Sequence, residues 1–284
     1  FPSPIAGFGP PDRFRPDLRL QQAIVVHRIR QVALGHAHLH LRLMRADKKN
    51  ALTPAMYAAL ADALTGAVAD SAIRATVIAG SGGCFTAGND IGDFASGAGA
   101  PADGEEKPVT RFLKALATHP KPLLAAVEGV AVGVGVTMLL HCDFVVAAEG
   151  AKLQAPFVNL GLVPEAASSL LLPRIAGHQI AAEIMMFAEK FGPHEGKAAG
   201  FVNRVVAEGQ AEAAALVAAK SVAAKPPEAV RLAKALLRGD PAERLARMEE
   251  EGRIFARQMA SAEAREAFLA FLEKRPPDFT RTAG

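Results

Sequence analysis

Two cysteines in 284 residues, and no apolar run long enough to cross a membrane, remove several classes of protein at once. Cys84 and Cys142 lie far apart and outside any CxxC or Cys/His spacing, which excludes a disulfide framework and fits ordinary packing in a reducing compartment. The most apolar stretch is flanked by Glu128 and Asp143 and falls short of the roughly 18 to 20 residues a spanning helix needs. The chain is therefore expected to be soluble and cytoplasmic, with no membrane partner. Charge of one sign is missing too: 32 Lys and Arg face 29 Asp and Glu, a net +3, and the two signs are interleaved. Without a basic stripe, nucleic acid is not an expected partner.

What is present is a large apolar fraction, half of the residues, enough for one substantial domain with an appendage. Residues 1–20 are rich in Pro and Arg but lack the long apolar centre of a secretory signal, and read as a flexible arm or a processing remnant. Alternating apolar residues over Ala23–Arg30 and Ala33–Met44 predict two strands paired as a hairpin. Thr53 can cap a helix through Leu64. The short apolar runs Ala75–Ala79 and Leu123–Val127 each end at a glycine-rich turn, and this repetition predicts an α/β layered core over residues 21–207. Residues 95–108, small and breaker-rich, predict a surface loop able to act as a lid. Residues 208–284 read as a helical module broken at Pro226, Pro227, Gly239 and Pro241, with more apolar positions than a lone hairpin needs, so subunit packing is expected.

The turns after the two short strands are Cys84-Phe85-Thr86-Ala87-Gly88-Asn89-Asp90-Ile91 and Gly129-Val130-Ala131-Val132-Gly133-Val134-Gly135-Val136-Thr137. Each puts unpaired backbone N–H groups where a helix should begin, a place suited to an anion. Neither matches GxxxxGK[ST], and the second lacks the GxGxxG spacing, so nucleotide hydrolysis and hydride transfer both lose ground.

Together with Lys49-Asn50-Ala51-Leu52, the segment His141-Cys142-Asp143 and the terminal Phe271-Leu272-Glu273-Lys274-Arg275, these turns carry a resemblance. From about Gln21 to Phe279 the chain resembles the enoyl-CoA hydratase/isomerase, or crotonase, superfamily. The resemblance implies an α/β, crotonase-type spiral of ββα units with a C-terminal helical trimerisation module, assembled as a trimer or a dimer of trimers. It implies an acyl-CoA substrate whose thioester oxygen accepts from the backbone N–H groups of Asn89 and Val134, beside Gly88 and Gly133. Two such donors would stabilise the enolate formed when a proton leaves the carbon next to the carbonyl. It also implies coenzyme contacts at Lys48, Lys49, Ala51, Ala87, Asp90, Ile91, Phe157, Phe271 and Lys274. Read without the resemblance, the two lysines are a solvated pair. Coenzyme A enters as part of the substrate, so no resident cofactor and no metal is expected.

Relatives that hydrate a double bond use two glutamates, and at those positions this chain has Thr137 and Phe157. Neither side chain can do acid/base work near neutral pH. There remains Glu165. Read from the residues alone, it is a first-turn glutamate after Pro164, solvated and favoured by the dipole of a helix through Leu172. With the two glutamates absent, and with Pro156–Ser169 similar to the peroxisomal type of Δ3,Δ2-enoyl-CoA isomerases, it becomes the expected base. An apolar pocket containing Phe157 would exclude water and raise its basicity. Thr137 is expected to fill space or to bind the helix backbone. The implied activity is a Δ3-to-Δ2 shift, with hydration or another reaction of the superfamily, and non-catalytic acyl-CoA binding, as alternatives.

His36, His38 and His40 alternate along the second strand and so share a face, which suits a metal or, by the plainer reading, a solvated surface. Asp143 reads as a structural carboxylate, and the pair Met185-Met186 as core.

Overall fold

The computed structural model of the chain describes residues 24–31, 36–90, 92 and 105–281. β1 (Ile24–Gln31) and β2 (His36–Leu43) pair antiparallel, with Ile24 opposite Leu43 and Gln31 opposite His36. α1 (Pro54–Ala69) starts where the sequence predicts: Thr53 Oγ1 accepts the Met56 N–H at 3.3 Å, and Pro54 takes a position whose N–H has no helical partner. It runs beyond Leu64 because Ala67 continues the buried stripe of Leu60 and Leu64. β3 (Ile73–Gly80), α2 (Pro108–Thr118) and β4 (Leu123–Val127) follow, then β5 (Val130–Val132), the single turn α3 (Val134–Thr137) and a 3-10 turn, Met138–His141. β6 (Phe144–Ala148) and β7 (Lys152–Gln154) lead to α4 (Ser168–Ala176), α5 (His178–Ala182), α6 (Pro193–Ala198) and β8 (Arg204–Val206). The chain closes on α7 (Ala211–Ala223), α8 (Pro227–Arg238), α9 (Pro241–Met259) and α10 (Ala262–Glu273).

The main sheet has the order β1-β2-β3-β4-β6-β8, parallel from β2 onward, and β5 pairs with β7 in a second, two-stranded parallel sheet. A parallel sheet is covered on both faces, which is why β3 and β4 are apolar without alternation. On one face Leu41, Ile78, Leu123 and Ala125 pack with Leu60 and Leu64 of α1 and Phe112 of α2. On the other, Ala75, Val77, Leu124, Ala126 and Val146 meet Ala211, Ala215 and Ala219, one small residue per turn of α7, so that helix lies close against the sheet. Of residues 208–284, α7 thus belongs with the sheet, while α8 buries none of its residues.

The second face corrects the reading of the histidines. His38 and His40 are not on a solvated surface; both are buried, with Lys220 of α7 beside His38 and Glu212 of α7 3.5 Å from His40 Nε2. Burial lowers the pKa of His38. Among the described residues no group of three His, Cys, Asp or Glu is set to hold a metal. Of the methionine pair, Met185 is buried but Met186 is exposed. Most of the segment read as a lid, 95–104, lies outside the described residues.

Candidate active site

The first glycine-rich turn is shaped from below by Asn50, which is buried in a left-handed conformation, φ 54°. Its Oδ1 accepts the Arg45 N–H at 2.9 Å, and its Nδ2 donates to the carbonyls of Ser81 and Cys84 at 3.0 and 2.7 Å. The neighbouring stretch then pairs with the turn: Ala87 N–H donates to the Lys49 carbonyl, Leu52 N–H to Gly88, and Asp90 N–H to Leu52, all within 3.0 Å. Asn89 falls between these bonds, and its N–H has no acceptor among the described residues.

The second turn is tied to the first. Thr86 N–H donates to the Val130 carbonyl and Val132 N–H to the Thr86 carbonyl, each at 3.0 Å. Where the two turns touch, a Cβ on Gly88 would sit 2.8 Å from the Val132 oxygen, and Gly88 has φ 87°, so only glycine fits. Gly133 donates to the Gln154 carbonyl at 2.9 Å and accepts from Val136 and Thr137 at 2.8 and 3.0 Å. Val134 is left as the first residue of α3, with an N–H that has no acceptor among the described residues. Its side chain is buried, so a valine is accommodated at this turn.

Thr137, three residues after Val134 on α3, donates its hydroxyl to Glu165 Oε1 at 2.5 Å. This corrects the space-filling role expected of Thr137. Glu165 itself is half-buried and does not open a helix. Ala166 and Ala167 follow it with φ of 61° and 55°, and α4 begins only at Ser168. The carboxyl lies among enough protein atoms that burial raises its pKa to about 7; the Thr137 hydrogen bond works against the rise and the charge of Glu251 adds to it.

Tyr57, which the sequence reading passed over, closes the site from α1. Its hydroxyl donates to Asn89 Oδ1, its ring centroid lies 5.6 Å from that of Phe112, and burial together with the Glu165 charge raises its pKa well above 10. Hydrogen bonds thus join Tyr57 to Asn89 of the first turn and Glu165 to Thr137 of α3, and the Glu165 charge acts on Tyr57. Tyr57 is the single tyrosine of the chain, yet between Met56 and Leu60 it reads as core.

The remaining expected residues divide. Lys48 and Lys49 are exposed beside the first turn. Ala51 is buried and gives its carbonyl to Arg45 Nη1 at 3.0 Å, while the Asp90 carboxylate pairs with the same guanidinium at 2.6 Å. Arg45 therefore ties both strands of the first turn, a role nothing in its sequence context marks. Ala87 is half-buried, Phe157 is buried in the main core, and Ile91 lies outside the described residues. Phe271 and Lys274 sit exposed at the end of α10, and no hydrogen bond or ion pair among the described residues joins them to the turns.

Residues 36–282 match the family described as enoyl-CoA hydratase/isomerase. The chain is 35% identical over 236 residues to enoyl-CoA delta isomerase 2 of Rattus norvegicus, a match covering 82% of this chain and 60% of that protein. It is 33% identical over 242 residues to the 2,3-dehydroadipyl-CoA hydratase of Escherichia coli, covering 85% and 94% of the two chains. Among solved structures, an enoyl-CoA hydratase/isomerase from Pseudoalteromonas atlantica superposes with a TM-score of 0.82 at 42% identity, over 89% of this chain and 99% of that one. With a crotonase fold, a parallel sheet and a helical C-terminal region, the chain belongs to the enoyl-CoA hydratase/isomerase family.

Proposed function

We propose that this enzyme moves a carbon–carbon double bond from the Δ3 to the Δ2 position of enoyl-CoA thioesters, with Glu165 as its only acid/base. The observation that carries the reading is the Thr137–Glu165 hydrogen bond: where a hydratase would place a glutamate, a hydroxyl serves the single carboxylate instead. One carboxylate suffices for isomerisation. Glu165 takes a proton from C2, the electron pair spreads through the dienolate, and the same proton returns to C4, so atoms and charge balance without water. A pKa of about 7 suits both halves of that shuttle, because the group gains and loses its proton with similar ease near neutral pH. The N–H groups of Asn89 and Val134 would receive the charge that develops on the thioester oxygen, and losing one such donor typically costs roughly 10²- to 10³-fold in rate. The likeness to the rat delta isomerase favours this reading, and the likeness to a hydratase is its competitor.

Copies of the chain are proposed to assemble through α8 and α10. Leu236 and Leu237 of α8 are 86% and 88% exposed in the single chain, and Phe271 and Leu272 of α10 are exposed as well. Phe271 and Lys274 would then reach the coenzyme of a neighbouring subunit, with the trimer as the unit. The free, buried Cys84 and Cys142 suit a reducing compartment, and a cytoplasmic location is proposed.

Pure 3-enoyl-CoA and pure 2-enoyl-CoA, supplied separately, test the reaction. Rapid conversion of the first is expected, abolished in Glu165→Gln with binding retained. Hydration of the second with the first untouched makes the enzyme a hydratase, and neither reaction in the parent leaves a binding protein.

A further inference from the structure

Ala166 and Ala167 are unusual neighbours for a functional carboxylate. Both have left-handed backbones, which cost a residue with a Cβ roughly 1–2 kcal/mol each, and Ala167 stands before α4 with no side chain able to cap it. What holds them comes from elsewhere in the fold. On one side His141, buried at the end of its 3-10 turn, has Nε2 2.7 Å from the Ala166 carbonyl, so that nitrogen carries the proton and donates. On the other side is Glu251 of α9, 84 residues beyond Ala167. Its Oε2 accepts the Ala167 N–H at 2.6 Å, and its Oε1 accepts the Ser169 N–H at 3.0 Å and the Ser169 hydroxyl at 2.5 Å.

A neutral cap would have served the geometry. Ser or Asn at position 167 satisfies the first N–H groups of a helix without burying a charge, whereas Glu251 is only 5% exposed and its burial raises its own pKa against three hydrogen bonds that lower it. A buried carboxylate near a second, half-buried one is a costly arrangement for structure alone. It makes sense if the charge has work to do at Glu165.

We propose that Glu251 is a positioning residue for Glu165: it holds the Ala166–Ser169 turn so that Glu165 meets Thr137, and its negative charge acts directly on the Glu165 carboxyl. The inference rests on Glu165 being the proton carrier, and it makes α9 part of the active site rather than only a packing element. Among the described residues, the charged and titratable groups acting on Glu165 and its turn are few. Tyr57 faces it from α1, neutral because its own proton is held firmly; His141 faces the turn from the 3-10 segment, neutral because burial lowers its pKa to about 4; Glu251 faces it from α9, with Arg247 on the same helix drawing Glu251 toward its charged form. Of these, Glu251 is the group whose charge raises the basicity of Glu165, so its removal is expected to lower it.

Infrared difference spectroscopy tests this without turnover. The C=O stretch of protonated Glu165, identified by its loss in Glu165→Gln, is titrated in the parent protein, in Glu251→Gln and in Glu251→Ala. In the parent the midpoint is expected near 7. In Glu251→Gln, where shape and one acceptor oxygen survive, it falls by about one unit, the lower end of what a nearby charge does. In Glu251→Ala, where the turn is released as well, it falls to that of a solvated carboxylate. A Glu251→Gln midpoint equal to the parent's overturns the proposal, because the charge is not felt. A Glu251→Gln midpoint already at the solvated value overturns it too, since the turn has then come apart and Glu251 is a structural cap only. A parent protein that fails to isomerise 3-enoyl-CoA counts against the proposed reaction and leaves these titrations to judge Glu251.

Discussion

Thr137 Oγ1 lies 2.5 Å from Glu165 Oε1 and donates to it. A hydroxyl bonded to a carboxylate favours the charged form, so it opposes the burial that raises Glu165. The activity of the parent enzyme should rise with pH through about 7 and then level off, since the base must be ionised to take the C2 proton. In Thr137→Val the opposing bond is gone and the rise should move to higher pH by about one unit, the scale of a hydrogen bond to a charged group. Thr137→Ser, which keeps the donor, should restore the parent profile. The measurement is kcat/KM for 3-enoyl-CoA against pH, and a Val variant with an unshifted profile would remove Thr137 from the mechanism.

Tyr57 permits a cleaner experiment because it is the single tyrosine of the chain. Its ultraviolet titration is therefore that of one buried phenol, and no phenolate absorbance should appear until well above pH 10. Burial is the larger cause and the Glu165 charge the second, so Glu165→Gln should lower the midpoint without bringing it to the ordinary value. Replacing Tyr57 with Phe frees the Asn89 amide while leaving the ring against Phe112. Since the Asn89 N–H is proposed to act on charge that appears only in the transition state, kcat should fall by roughly tenfold with KM little changed. A rise in KM alone would mean that Tyr57 only shapes the pocket.

The glycine-rich turns and the strands that carry them are legible in the sequence because each is fixed by local rules: apolar runs that must be buried, and glycines where a Cβ would strike a neighbouring backbone, as at Gly88. What the sequence hides is reach. Glu251 is the last of three consecutive glutamates on a long helix, and nothing nearby tells which of them turns inward to Ala167. The histidines of β2 fail for a related reason. Alternation along a strand gives the shared face, but whether that face is wet depends on where α7 packs, and the parallel sheet covers both faces. Arg45 joins Ala51 and Asp90 across a distance in sequence that no periodicity reports.

Glu165 should also tie stability to pH. Its pKa rises from the ordinary 4.5 to about 7 on folding, so the folded chain holds a proton that the unfolded chain releases earlier. The stability this contributes is complete below about pH 4.5 and lost as pH rises through about 7. At roughly 1.4 kcal/mol per unit, the full loss is about 3 kcal/mol. Glu165→Gln removes the ionisation, and its denaturation midpoint relative to the parent should climb between pH 5 and pH 8. A constant difference over that range would contradict the raised pKa.

Asp143 anchors the C-terminal helices to the start of β6, and here the prediction concerns a pair rather than a single group. Lys234 Nζ of α8 lies 2.6 Å from Asp143 Oδ2 and donates to the Lys121 carbonyl at 2.7 Å. Asp143 also accepts the Leu123 N–H at 2.8 Å and an ion pair from Arg238 at 3.1 Å. Burial pushes the pKa of Lys234 down, and the Asp143 charge works against that fall. Asp143→Asn preserves the shape of the junction but leaves the half-buried Lys234 ammonium facing Arg238 without its counter-charge. Because the Asp143 side of the pair is open to solvent, the loss is expected at about 1 kcal/mol, and it should appear as a lower midpoint in urea. Removing the second charge as well, in Asp143→Asn with Lys234→Met, should recover part of the loss, because the orphaned cation is gone and an apolar chain of similar length fills its path. Double-variant stability equal to the sum of the two single losses would mean that the two side chains act independently and that α8 is held by its carbonyl contacts alone.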